Sequence, residues 1–160
     1  MEEQIKLAKG AVLGLLTKAY QKRYRVGVIV FSFFHAQVVL PPTTSITRAR
    51  RALQGVPSGG GTPLAHGLHT ALQLVRSERI RHPIDLPQLI LVTDGDASDP
   101  MNPTANIREE VLTLARKFPA RNIPATILST KDPSEFLREI AVQLSAPLHK
   151  LSDVIQGKVE

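Results

Sequence analysis

Two runs of the chain, Val26-Gly27-Val28-Ile29-Val30-Phe31 and Leu89-Ile90-Leu91-Val92, carry no charged or polar side chain at any position. A strand with one wet face alternates in character, whereas a strand that is apolar throughout must be covered on both faces. Ahead of the first run, Ile5, Ala8, Val12, Leu15, Leu16 and Ala19 recur at helical spacing, and ahead of the second Leu64, Leu68, Ala71, Leu72 and Val75 do the same. Strands alternating with amphipathic helices predict an α/β fold in three layers, α/β/α, around a mainly parallel sheet.

The remaining segments fit this frame. The first helix is expected to reach about Gln21, with Glu2 and Glu3 suited to its dipole and Gly10 and Gly14 allowing close approach to a neighbour. A turn near Phe34-His35 leads to a short strand over 37–40, expected to stop at Pro41-Pro42 and to form an antiparallel edge. A helix over 43–53 takes Thr44 or Ser45 as its cap, and a second helix runs from Pro63 to about Ser77. Further along come a strand over 88–93, a helix over 104–118 and a strand over 125–128. Asp132-Pro133-Ser134-Glu135 then reads as a capping arrangement with Asp132 as cap. A strand over 148–151 and a frayed helix from Ser152 complete the pattern.

At 160 residues the chain fits a single domain, 1–160, with a substantial core. No apolar run is long enough for a membrane span and the amino end lacks a basic signal head, so the expected location is cytoplasmic. With no cysteine, thiolate catalysis, thiolate metal sites and disulfides are excluded. The net charge of +6 gathers around Lys18-Lys22-Arg23-Arg25, Arg48-Arg50-Arg51 and Arg76-Arg79-Arg81. A solvated helical face accounts for such clusters, and an acidic protein partner is the next reading. Nucleic acid is disfavoured by the 4% aromatic content and the lack of a known binding motif.

The chemistry concentrates in two loops. In Gly59-Gly60-Gly61-Thr62-Pro63-Leu64 the glycines allow positive φ and close approach to a bound group, and Thr62 stands where a helix begins. The second loop, Thr93-Asp94-Gly95-Asp96-Ala97-Ser98-Asp99, follows a buried strand. In parallel α/β sheets ligands sit beyond the carboxyl ends of the strands, so a hydroxyl from Thr62 and a carboxylate from Asp94 suggest a hard-cation site. Plainer roles compete: Thr62 as a helix cap, and Asp94 as the acceptor of an Asx turn, with Asp96 and Asp99 as turn groups. His66 and His69, one turn apart on the helix, read as a solvated face because no third ligand stands near them in the sequence.

The run from Leu40-Pro41-Pro42-Thr43 through Arg48-Ala49-Arg50-Arg51-Ala52-Leu53, followed by Gly59-Gly60-Gly61-Thr62-Pro63-Leu64 and Leu91-Val92-Thr93-Asp94-Gly95, resembles a von Willebrand factor A (integrin I-like) domain. More closely it is similar to the carboxy-terminal domain of magnesium-chelatase D subunits and related cobaltochelatase subunits. The resemblance implies a metal-ion-dependent adhesion site, in which Mg²⁺ is held by an Asp-x-Ser-x-Ser loop after the first strand, a Thr from the second loop and an Asp from the third. By motif the Thr is Thr62 and the Asp is Asp94. The open position of the ion then accepts a carboxylate from a partner protein, here an ATP-driven chelatase motor subunit in a complex that inserts metal into a tetrapyrrole. The sequence holds no Asp-x-Ser-x-Ser ahead of its first helix. The resemblance therefore implies an amino-terminally truncated domain, with the central first strand and three of the five expected ligands missing and with weak Mg²⁺ binding. It also implies unpaired strands that close on each other, borrow a strand, self-associate or leave a gap.

An enzyme reading stands against this one: a Mg²⁺-dependent phosphoryl-transfer or phosphate-binding enzyme in which the Gly59-to-Thr62 loop cradles phosphate and Asp94, with Asp96, holds the ion. No Lys directly follows the glycines as in a nucleotide-binding P-loop, and no nucleophile–base pair stands out.

Overall fold

The structure, a computed structural model, describes residues 2–32, 35–56 and 62–157. In chain order the elements are α1 (Glu2–Gln21), β1 (Val26–Ser32), β2 (His35–Thr43), α2 (Ile46–Gln54), α3 (Leu64–Arg81), β3 (Leu89–Thr93), α4 (Ile107–Ala120), β4 (Ala125–Ser129), α5 (Glu135–Leu144), β5 (Leu148–Lys150) and α6 (Leu151–Ile155). The parallel sheet expected from the sequence is present as β3-β4-β5, and the antiparallel edge as the pair β1-β2. Among the described residues no backbone pairing joins β1 to β3, so the strands form two sheets. Of the expected outcomes, closure of these two strands on each other is not seen among the described residues.

Shared helices hold the two sheets in one three-layer body. On one face the main core gathers Leu64, Leu68 and Leu72 of α3, Val111 and Phe118 of α4, and Leu137, Ile140 and Leu144 of α5. Into it reach Ile29 and Phe31 from β1, Leu91 from β3 and Ile127 from β4. On the other face α1 serves both sheets. Its Leu16, Val12 and Tyr20 pack with Val26 and Val28 of β1, Leu40 of β2 and Leu53 of α2. Its Ala8, Ala11 and Leu15 pack with Val92 of β3, Leu128 of β4 and Leu151 of α6. The alternation along β1, with Val26 and Val28 to one side and Ile29 and Phe31 to the other, is that of a strand sandwiched between helix layers.

Several local expectations need correction. Pro41 and Pro42 do not end the second strand, which runs on to Thr43. They lie where the β1-β2 register shifts, between the pairs Val26↔Thr43 and Val28↔Leu40, and a bulge on an outer strand has no use for their missing N–H. Asp132 does not cap α5; Ser134 does, its Oγ accepting from the Leu137 amide, while Asp132 pairs with Lys150. Gly10 and Gly14 permit no close packing, because a Cβ at either would meet nothing within 4 Å. The close approach occurs at Gly67 of α3, where a Cβ would stand 2.8 Å from Phe31 Cδ1. Ser45 caps α2, as one of the two expected candidates. The turn expected near Phe34-His35 falls in part on residues outside the described set, as does the triple glycine Gly59 to Gly61. Among the described residues no helix is long and apolar enough to cross a membrane.

Candidate metal centre

The candidate ligands stand where α3 begins and β3 ends. Thr62 does not cap α3: the helix starts at Leu64 with Pro63 in the cap position and no side-chain capping bond. The Thr62 backbone is instead engaged across the fold. Its N–H donates to Ser98 Oγ at 2.8 Å, and its carbonyl accepts from the Ser98 amide at 3.1 Å and the Leu64 amide at 2.9 Å. Ser98 Oγ in turn donates to Asp99 Oδ2 at 2.8 Å. This reciprocal pair of bonds straps the Thr62 segment to the loop that follows β3. The capping role therefore goes, and the hydroxyl is not spent on a helix amide.

The Asp94 turn is built from below. Parallel pairing with β4 carries β3 to Thr93, whose carbonyl accepts from the Thr130 amide at 3.0 Å. The buried Thr93 hydroxyl accepts from the Gly95 amide at 3.1 Å, and Asp94 Oδ1 accepts from the Asp96 amide at 3.0 Å. The expected Asx turn is thus present, and it uses one carboxylate oxygen of Asp94. Gly95 sits at φ +87°, and a Cβ there would stand 3.0 Å from Leu137 Cβ and 3.3 Å from Ser134 Oγ, so the turn needs glycine on both counts.

Lys131, just past β4, brings a cation to this turn. Its Nζ lies 3.0 Å from Asp96 Oδ2. The hydrogen bond to Asp96, and then the charge of Asp94, hold the Lys131 ammonium above its ordinary pKa, with partial desolvation opposing. Nothing in the sequence reading pointed to Lys131, because it lies thirty-seven positions from Asp94 and reaches it only through the β3-β4 pairing.

The donor types suit a hard cation: a hydroxyl and a carboxylate, both oxygen, on loops strapped together. Their number does not fill a coordination sphere. Among the described residues no group of three or more His, Cys, Asp or Glu could hold a metal ion. Of the two histidines on α3, His66 has its Nδ1 engaged, accepting from the Ala36 amide of β2 at 2.9 Å. Of the basic clusters, the first is partly neutralised within the fold, since Arg25 pairs with Glu78 and Asp85. Arg48, Arg50 and Arg51 of α2 are exposed, as a solvated helical face requires.

A sequence model described as the von Willebrand factor type A domain matches residues 1–97. The magnesium-chelatase 60 kDa subunit of Cereibacter sphaeroides is 38% identical over 160 residues, covering 92% of this chain and 28% of that protein. The magnesium-chelatase 60 kDa subunit of Rhodobacter capsulatus is 37% identical over 165 residues, covering 96% of this chain and 29% of its own length. The chain thus spans less than a third of these relatives. Among solved structures, the SpRpn10 VWA domain superposes with a TM-score of 0.75 at 14% identity, over 95% of this chain and 82% of that one, a likeness of fold.

Proposed function

The chain belongs to the von Willebrand factor type A domain family, and from that premise we propose that it is a metal-dependent protein-interaction module of a chelatase-type complex. Its contact element is the loop pair at the end of β3. Thr62 Oγ1 and the Asp94 carboxylate oxygen not used by the Asx turn hold Mg²⁺, water fills most of the remaining positions, and a carboxylate from the partner protein takes one of them. The chemistry is adhesion rather than turnover: the ion joins two proteins and no bond is made or broken. With so few protein ligands the ion is held weakly.

One observation carries this reading. The two hydrogen bonds between Thr62 and Ser98 tie the Thr62 segment to the loop that carries Asp94, and this supports the pairing of the two as ligands. The relatives support the choice of a chelatase-type complex. Both are magnesium-chelatase subunits much longer than this chain, so the partner is sought among the other components of a tetrapyrrole metal-insertion complex, an ATP-driven motor subunit first. The enzyme alternative gains no such support.

Calorimetric titration of Mg²⁺ and Mn²⁺ tests the site. Binding in the millimolar range is expected for the chain, with loss in Asp94→Ala and weakening in Thr62→Ala. Equal heats from the native chain and Asp94→Ala would remove the ion from the proposal.

A further inference from the structure

Along the second half of α3 the core comes to the surface in a groove of about 400 Å³. Leu72 of α3 and Ile123, which leads into β4, line it, and both belong to the main core, Ile123 being only 1% exposed. Val75 and Ile80 continue the apolar lining along α3, and Ile80 is 76% exposed. A single exposed isoleucine is ordinary on a protein surface. One that carries a core-lined groove out into water marks apolar surface still to be covered.

The remaining lining is three arginines, Arg76 and Arg79 of α3 and Arg121 at the end of α4, with no acidic residue among them. The carboxylates of the neighbouring chain are committed elsewhere: Glu78 and Asp85 both pair with Arg25. Among the described residues none of the three arginines makes an ion pair. Arg79 Nη2 donates to the Asn122 carbonyl at 3.2 Å, which ties its guanidinium to the turn before β4 and leaves most of its N–H donors for a ligand. Three uncompensated guanidinium groups around an apolar groove ask for an occupant that is apolar on one face and anionic beside it. Ile123 stands at the amino end of the parallel sheet, whereas Asp94 follows the carboxyl end of β3, so the groove is separate from the candidate metal centre.

We propose that this groove docks an acidic amphipathic helix of another protein. Apolar side chains at i, i+3, i+4 and i+7 of that helix cover Leu72, Val75 and Ile80, and carboxylates flanking the stripe meet the forked donors of Arg76, Arg79 and Arg121. A second copy of this chain does not fit groove against groove, because it would set three more guanidinium groups against these.

The test uses the full chain and a labelled synthetic peptide, Ser-Pro-Glu-Glu-Leu-Ala-Glu-Leu-Leu-Glu-Glu-Leu-Ala-Glu, whose leucines hold that spacing with glutamates beside them. A control peptide carries Gln in place of every Glu. Fluorescence anisotropy should show saturable binding of the first, weakening as salt is added, and binding of the control weaker by about tenfold or more. The double variant Arg76→Gln/Arg121→Gln and the single variant Ile80→Ser should each weaken binding by about tenfold, with native circular dichroism because all three residues are exposed. Arg48→Gln/Arg51→Gln, on the exposed face of α2, should leave binding unchanged. The proposal is overturned if the acidic peptide does not bind, if the glutamine peptide binds equally, or if either groove variant binds like the native chain. An equal loss in the α2 variant also overturns it, since binding would then report only the overall positive charge. So does a free chain that is dimeric and becomes monomeric in Ile80→Ser, which would make a second copy the occupant.

Discussion

Lys131 and Gly67 show how single residues set the properties of this domain, one by charge and one by the lack of a side chain. The Lys131 ammonium lies 3.0 Å from Asp96 and within the field of Asp94, beside the cation site proposed above. Like charges at such a site oppose each other, so Lys131→Met should strengthen Mg²⁺ binding by a few-fold at low salt, and added salt should narrow the difference. Calorimetry on the two proteins side by side checks this; unchanged affinity would place the ion away from Asp94. Gly67 makes the opposite point about helix propensity. Alanine favours a helix interior over glycine by about 1 kcal/mol, and at Gly10, where a Cβ meets nothing within 4 Å, Gly10→Ala should be stabilising by up to that amount. At Gly67 the same methyl meets Phe31 Cδ1 at 2.8 Å, Cγ at 2.9 Å and Cβ at 3.2 Å, the rigid end of the ring side chain. Overpacking of this kind costs about 1–3 kcal/mol, so Gly67→Ala should lower stability despite the gain in propensity, as thermal or urea unfolding will read.

The elements divide by how local their causes are. The apolar runs at β1 and β3 and the periodic leucines of α3 announce themselves because each strand or helix face is written in neighbouring residues. The cap of α5 was misplaced by two residues, since Asp132, Pro133 and Ser134 are each acceptable starts and only the distant Lys150 draws Asp132 away. For the same reason the cap assigned to Thr62 failed: the competitor for its backbone is Ser98, thirty-six positions on. Continuation of β2 through Pro41-Pro42 depends on a bulge, which no local rule foretells. The pairing of the Thr62 and Asp94 loops was legible through the general rule that sites gather beyond parallel strands, but Lys131 was not, because its reach depends on the β3-β4 register. The capping assignment can be checked directly. Ser134→Ala removes the acceptor for the Leu137 amide and should cost about 1 kcal/mol, whereas Asp132→Ala, losing an exposed ion pair, should cost well under that. A larger loss from Asp132→Ala in urea unfolding would restore it as the cap.

For the whole molecule, the question is whether two sheets without a shared hydrogen bond behave as one cooperative unit. Backbone pairing alone would make them two, with β1-β2 free to melt while β3-β4-β5 stays folded. The packing argues otherwise on one face and allows it on the other. Leu68 of α3 is 1% exposed and belongs to the cluster that takes in Ile29 and Phe31 from β1 as well as Leu91 and Ile127 from the parallel sheet. Leu16 of α1, 2% exposed, belongs to a cluster drawn from α1, β1, β2, α2 and Val56 just past it, with no residue of the parallel sheet. A buried Leu→Ala change costs about 2–5 kcal/mol wherever the cavity cannot collapse. Leu68→Ala should therefore hasten amide exchange in both sheets together, through a loss that β1 and β4 both register. Leu16→Ala should hasten exchange in β1 and β2 first, leaving β4, paired on both edges and buried, the slowest to open. If the two variants instead gave the same pattern across the strands, the sheets would be coupled by something other than these two helices, and the separation of the core into an α3 side and an α1 side would have no energetic meaning.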